Sequence, residues 1–164
     1  MGNTGNGVKA GVIAGIVYGI VLGVFSYFAV IAEKETIIAA VTKSLPANSP
    51  FTPDQLYGIV MLVTPGVAAV AGVIGGIIIG AIYGWLYEKI PGRTSIAKGI
   101  AVGIIIWVLV SVVGGAQNLQ YGITVYLTGV GVGIVGALLF GTLLGYFFGR
   151  LSRPPKVDPA MAGL

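Results

Sequence analysis

The chain contains no cysteine and no histidine. Without thiols there are no disulfides and no thiolate metal sites. Without imidazole, the commonest metal ligand and the usual partner of a catalytic nucleophile are both missing. The absent cysteines also leave the redox compartment open. Charge is scarce as well. Only 9% of the residues are Asp, Glu, Lys or Arg, against roughly 25% in soluble domains. So little charge cannot cover a water-facing surface. With 56% hydrophobic residues and a mean hydropathy of +0.99, the chain reads as an integral membrane protein. No charged residue stands midway along an apolar run, which argues against a proton- or ion-coupled transporter.

Other signals are missing too. A cleavable signal peptide is not expected, because the first apolar run begins near Val8, outlasts an h-region and meets no small-x-small site before charge resumes. "MGNTGN" carries Asn6 where N-myristoylation needs Ser or Thr. "NSP" at Asn48 is not a glycosylation acceptor. The net charge of +4 would suit nucleic acid, but its placement at the ends of apolar runs is that of membrane topology. Neither a nucleic-acid partner nor a cofactor is expected.

What the sequence does have is four runs of the length that spans a bilayer, about 20 apolar residues: 8–32, 58–87, 96–116 and 123–148. Seven basic residues fall on one side of these spans: Lys9, Lys89, Arg93, Lys98, Arg150, Arg153 and Lys156. Lys34 and Lys43 fall on the other. By the positive-inside rule both termini are cytoplasmic. "TPDQ" at Thr52–Gln55 has the form of a capping box with proline at the first helical position. The second helix therefore starts well before its apolar run. Helices over 8–44 and 53–89 follow, each roughly 55 Å long against a hydrocarbon core of roughly 30 Å. The first hairpin then extends beyond the membrane on the outer side, with Ile37, Ile38, Val41 and Leu45 facing Leu56, Ile59 and Val60. A kink is expected at "TPG", Thr64–Gly66.

The chain also matches itself. Gly11, Gly15 and Gly23 align on Gly99, Gly103 and Ser111, and Gly72, Gly75, Gly80 and Gly84 align on Gly133, Gly136, Gly141 and Gly145. Trp85 then meets Tyr146, and Lys89 meets Arg150. The fold expected is an all-α, single-domain integral membrane four-helix bundle of two duplicated α-hairpins. Repeat one covers about 8–90, and repeat two about 95–150 with helices at 95–117 and 122–149. A flexible cytoplasmic tail over 151–164 follows.

A small residue recurs at every fourth position: Gly11, Gly15, Gly19 and Gly23 in the first helix; Gly72, Gly76, Gly80 and Gly84 in the second; Gly133, Ala137, Gly141 and Gly145 in the fourth. Such faces let membrane helices approach closely, either within the bundle or against other subunits or a second copy. Trp107 stands where the repeat places Gly19, as a groove filler or a constriction. Trp85, Tyr87, Glu88, Lys89 and Arg93 read as an interfacial anchor, and Glu88 as part of it, not as a catalytic acid.

A Gly-rich double hairpin resembles the proteolipid of rotary ATPases. That family needs a carboxylate midway along its ion-binding helix, and "GVIGGIIIGAIYG" and "GIVGALLFGTLLG" have none, so the rotor role is excluded. "YGWLYEKIPG" followed by "IAKGI" resembles a pattern in small prokaryotic, archaeal-type four-helix membrane proteins. The resemblance covers the middle third of the chain and implies no activity. The function expected is a non-enzymatic accessory or scaffolding subunit that associates through its glycine faces. The alternative is a small channel or carrier for an uncharged or lipidic solute. An enzyme acting on lipid is a distant third, since no acid–base pair is visible.

Overall fold

A computed structural model describes residues 3–46, 48–121 and 123–152. The basic tail residues Arg153 and Lys156, and the tail expected over 151–164 beyond Ser152, lie outside the described residues. Among the described residues five α-helices follow one another: α1 (Asn3–Ala32), α2 (Lys34–Ser44), α3 (Pro53–Leu86), α4 (Ser95–Trp107) and α5 (Ile123–Leu151). From Trp107 the chain continues as a π-helical stretch, Val108–Val113, and then a 3-10 stretch, Gly114–Tyr121. No strand occurs among the described residues. Four helices are long and apolar enough to cross a membrane, α4 counting with its continuation to Ala116.

Local chemistry sets several boundaries. Gln55 N donates to Thr52 Oγ1 (3.3 Å) and Thr52 N donates to Gln55 Oε1 (2.9 Å), a reciprocal box that satisfies two otherwise orphan donors at the start of α3. At the start of α4, Ala97 N donates to Thr94 Oγ1 (3.1 Å). Between α3 and α4 the chain turns through Gly92 at φ 141, a conformation that side chains with a Cβ rarely adopt.

Three expected helices are altered. The helix expected over 8–44 begins at Asn3 and bends at Glu33, whose ψ of 18 leaves the helical range. The i−4 hydrogen bonds persist on both sides, Glu33 N to Ala29 O and Ile37 N to Glu33 O, each 3.0 Å. The bend therefore occupies one residue, and it lays α2 along the first turns of α3. Ile37, Ile38, Val41, Leu45, Leu56 and Val60 become half-buried there, while Ile59 stays exposed. The helix expected over 53–89 ends at Leu86, and the α-helix expected over 95–117 gives way to π geometry after Trp107. Pro65 sits within α3, which remains one helix through it.

Packing in the bundle uses small residues on paired stripes. A Cβ built on Gly7, Gly11 or Gly15 lands on the backbone of Gly80–Gly84, Gly76–Gly80 or Gly72–Gly76 respectively, and one on Gly19 meets Ala69. Gly99 and Gly103 meet α5 in the same way, at Gly141–Gly145 and Ala137–Gly141. The stripe of α1 one residue earlier joins the two hairpins. Ala10 and Ala14 are fully buried with Phe140, Leu144 and Phe148 of α5, and Tyr18 meets Phe140 edge-on at 5.4 Å. Outward, large apolar side chains are bare, Leu62 at 82% exposure being the extreme. Such a surface suits hydrocarbon as its surroundings.

Candidate functional site

α1 packs on α3, α4 on α5, and α1 on α5, but α3 and α4 make no extended contact. Among the described residues, hydrogen bonds tie them near one end. There Tyr83 is fully buried, and its Oη donates to Ser95 O at 2.7 Å. Tyr87 Oη bonds Ser95 Oγ at 2.7 Å, and Lys98 Nζ donates to Tyr87 O at 2.7 Å while lying 4.2 Å from the Tyr87 ring. Phe148 closes the group, 5.0 Å from Tyr83 and 4.4 Å from Tyr87. The buried Tyr83 hydroxyl and the half-buried Tyr87, Ser95 and Lys98 are all paired in this knot, as removal from water demands.

Away from the knot the hairpins part, leaving a half-open cavity of about 250 Å³ walled by α1, α3, α4 with its π-helical continuation, and α5. Large rings prop the walls and small residues leave the space. Tyr18, Trp107 and Phe140 are the props, and Gly72, Gly75 and Gly76 of α3 with Gly103, Gly133 and Ala137 leave the hollow. Gly75 shows this directly, because a Cβ built on it meets nothing within 4 Å. Trp107 Nε1 donates to Val130 O of α5 at 2.9 Å, which fixes the indole with its donor satisfied. The π-helical stretch begins at the next residue and places Val110 and Ser111 on the cavity wall. Widened helical turns of this kind often accompany functional sites.

The sequence-derived residues fall into three groups. Gly11, Gly15, Gly19, Gly23, Gly72, Gly76, Gly80 and Gly84 line the α1–α3 seam; Gly141 and Gly145 line the α4–α5 seam; Gly133 receives Trp107 and Ser111. Each of these glycines faces a neighbour inside the chain. Trp107, Gly133, Gly72 and Gly76 also wall the cavity. The expected anchor is divided: Trp85 is 70% exposed, while Tyr87 turns into the knot. Glu88 accepts from Asn3 Nδ2 at 3.3 Å, and Lys89 and Arg93 are exposed.

Sequence reasoning missed Tyr18, Tyr83, Ser95 and Lys98. The available signal was positional: Ala10, Ala14 and Tyr18 form a four-residue stripe beside the glycines. Comparison with protein-family models, with curated proteins and with solved structures gives no match.

Proposed function

We propose that this is a non-enzymatic integral membrane protein that holds an uncharged or lipidic molecule in the cavity between its hairpins, as a small carrier. One observation carries this reading: the cavity is apolar, is walled by α1, α3, α4 with its π-helical continuation, and α5, and adjoins the gap between α3 and α4. Ligand sites are mostly apolar hollows with a few convergent polar groups, and they occur between the helices of bundles. The volume, about 250 Å³, exceeds the roughly 150 Å³ of an apolar cavity that accommodates benzene. A scarcity of acid–base groups in the sequence supports binding over catalysis. The positive-inside distribution supports a cytoplasmic location for both termini, and the self-match of the sequence supports a duplicated hairpin.

The test uses Trp107 as reporter in a Trp85→Phe background, with a brominated hydrocarbon as quencher in vesicles. Quenching is expected, together with its loss in Gly75→Leu, whose side chain fills the hollow. Equal quenching with and without the plug overturns the reading.

A second reading, an accessory or scaffolding subunit, has its own support in a shallow bare strip of α3 from Leu62 to Ile74. The glycine faces lend it less, since they meet one another within the chain. Copurification from native membranes with a partner that is lost on Leu62→Asp would favour this second role.

A further inference from the structure

The cavity wall is apolar except at two hydroxyls. Tyr18 on α1 and Ser111 on the π-helical stretch both line it, and neither has a hydrogen-bond partner among the described residues. No described side-chain N or O is both sealed from its surroundings and unpaired, so these two hydroxyls remain accessible. They also converge. Tyr18 Oη lies 2.6 Å from the point where Gly136 would carry a Cβ, and Ser111 Oγ lies 2.5 Å from the same point on Gly133. Those glycines stand three apart on α5 and are neighbours on one helical turn. Each glycine admits a hydroxyl that a side chain would displace. Two unpaired donors therefore lie against one turn of α5, beside a hydrocarbon-sized hollow, in surroundings where an unpaired hydroxyl is costly.

Resting on the cavity being a binding site, we propose that Tyr18 and Ser111 select its occupant: an uncharged bilayer amphiphile carrying a carbonyl or hydroxyl oxygen on a hydrocarbon body. The oxygen accepts from one or the other of the two hydroxyls. The apolar part fills the space beside Gly75, and its excess length leaves through the gap between α3 and α4. Among the described residues no charged side chain lines the cavity, so none of them compensates a charged headgroup. The knot of Tyr83, Tyr87, Ser95 and Phe148 lies beyond one end of the cavity, which favours lateral entry from the bilayer over passage through the bundle.

The experiment compares terminally brominated decanol with terminally brominated decane as quenchers of Trp107, in vesicles, in the Trp85→Phe background. The alcohol is expected to act at an about fivefold lower mole fraction in the bilayer, the effect of one ordinary hydrogen bond. Tyr18→Phe with Ser111→Ala is expected to abolish that advantage while leaving quenching by the decane unchanged. Each substitution removes a single oxygen, and circular dichroism verifies the fold. If both probes act equally in the parent, or the alcohol's advantage survives the double substitution, the two hydroxyls do not select the occupant although the cavity still binds. Quenching by neither probe, or quenching insensitive to Gly75→Leu, removes the binding site itself.

Discussion

Gly75 and Gly76 are adjacent in sequence and opposite in circumstance. A Cβ on Gly76 lands on the Gly11 carbonyl and the Gly15 backbone, whereas one on Gly75 meets open space. Gly76→Leu is therefore expected to cost about 1–3 kcal/mol by overpacking a backbone that cannot yield. Gly75→Leu should leave stability unchanged or raise it, since leucine is the better helix former by roughly 0.8 kcal/mol. Thermal midpoints in mild detergent check both. A glycine at every fourth position is readable from sequence as a close-approach face. Which neighbour it faces is not, because small-residue stripes are alike and an all-apolar helix carries no polar side to orient it. Ala10, Ala14 and Tyr18 join the hairpins without any signature beyond their spacing.

At the level of elements, the start of α3 was legible because "TPDQ" encodes a local hydrogen-bond exchange. Thr52→Ala removes half of it and is expected to destabilise the first turns by about 1 kcal/mol. Amide exchange should rise over Gln55–Tyr57 and stay unchanged beyond Pro65. The bend at Glu33 was not legible. "AEKETIIAAV" contains no glycine or proline, and what turns the chain is the apolar face of α2 finding α3, a tertiary contact. The π-helical stretch "VLVSVV" is equally silent, since nothing in it departs from an ordinary apolar helix. The expectation of uninterrupted helices failed wherever packing decided the backbone.

For the whole molecule, the number of spans follows from run length alone, but the cavity does not follow from any one segment. It needs four helices placed at once, with Trp107 resting on Gly133 and Gly75 left facing nothing. Sidedness is open to a direct check because the chain lacks cysteine. With single substitutions Asn48→Cys and Ser152→Cys, an impermeant maleimide applied from outside is expected to label only the first. Labelling of Ser152→Cys in intact cells would reverse the orientation.

The α1–α3 seam has a further consequence, one of register. Gly7, Gly11 and Gly15 answer Gly80, Gly76 and Gly72 in steps of four, so sliding α1 by four residues, about 6 Å, again sets glycine against glycine. Interlocking side chains would forbid such a slip, but a seam made of backbone is nearly indifferent to it. Beyond the packing of Ala10, Ala14 and Tyr18 on α5, the register within this pair is held at its ends. Tyr57 Oη donates to Val30 O at 3.3 Å, and Asn3 pairs with Glu88 at the other end. Removing both pins with Tyr57→Phe and Asn3→Ala should populate a second hairpin, shifted by those four residues. Spin labels at Ile20 and Ile82, both exposed and well separated along the hairpin, would detect it as a second inter-label distance that the parent lacks. The chain carries a ratchet in its glycines and two small catches that hold it in one notch.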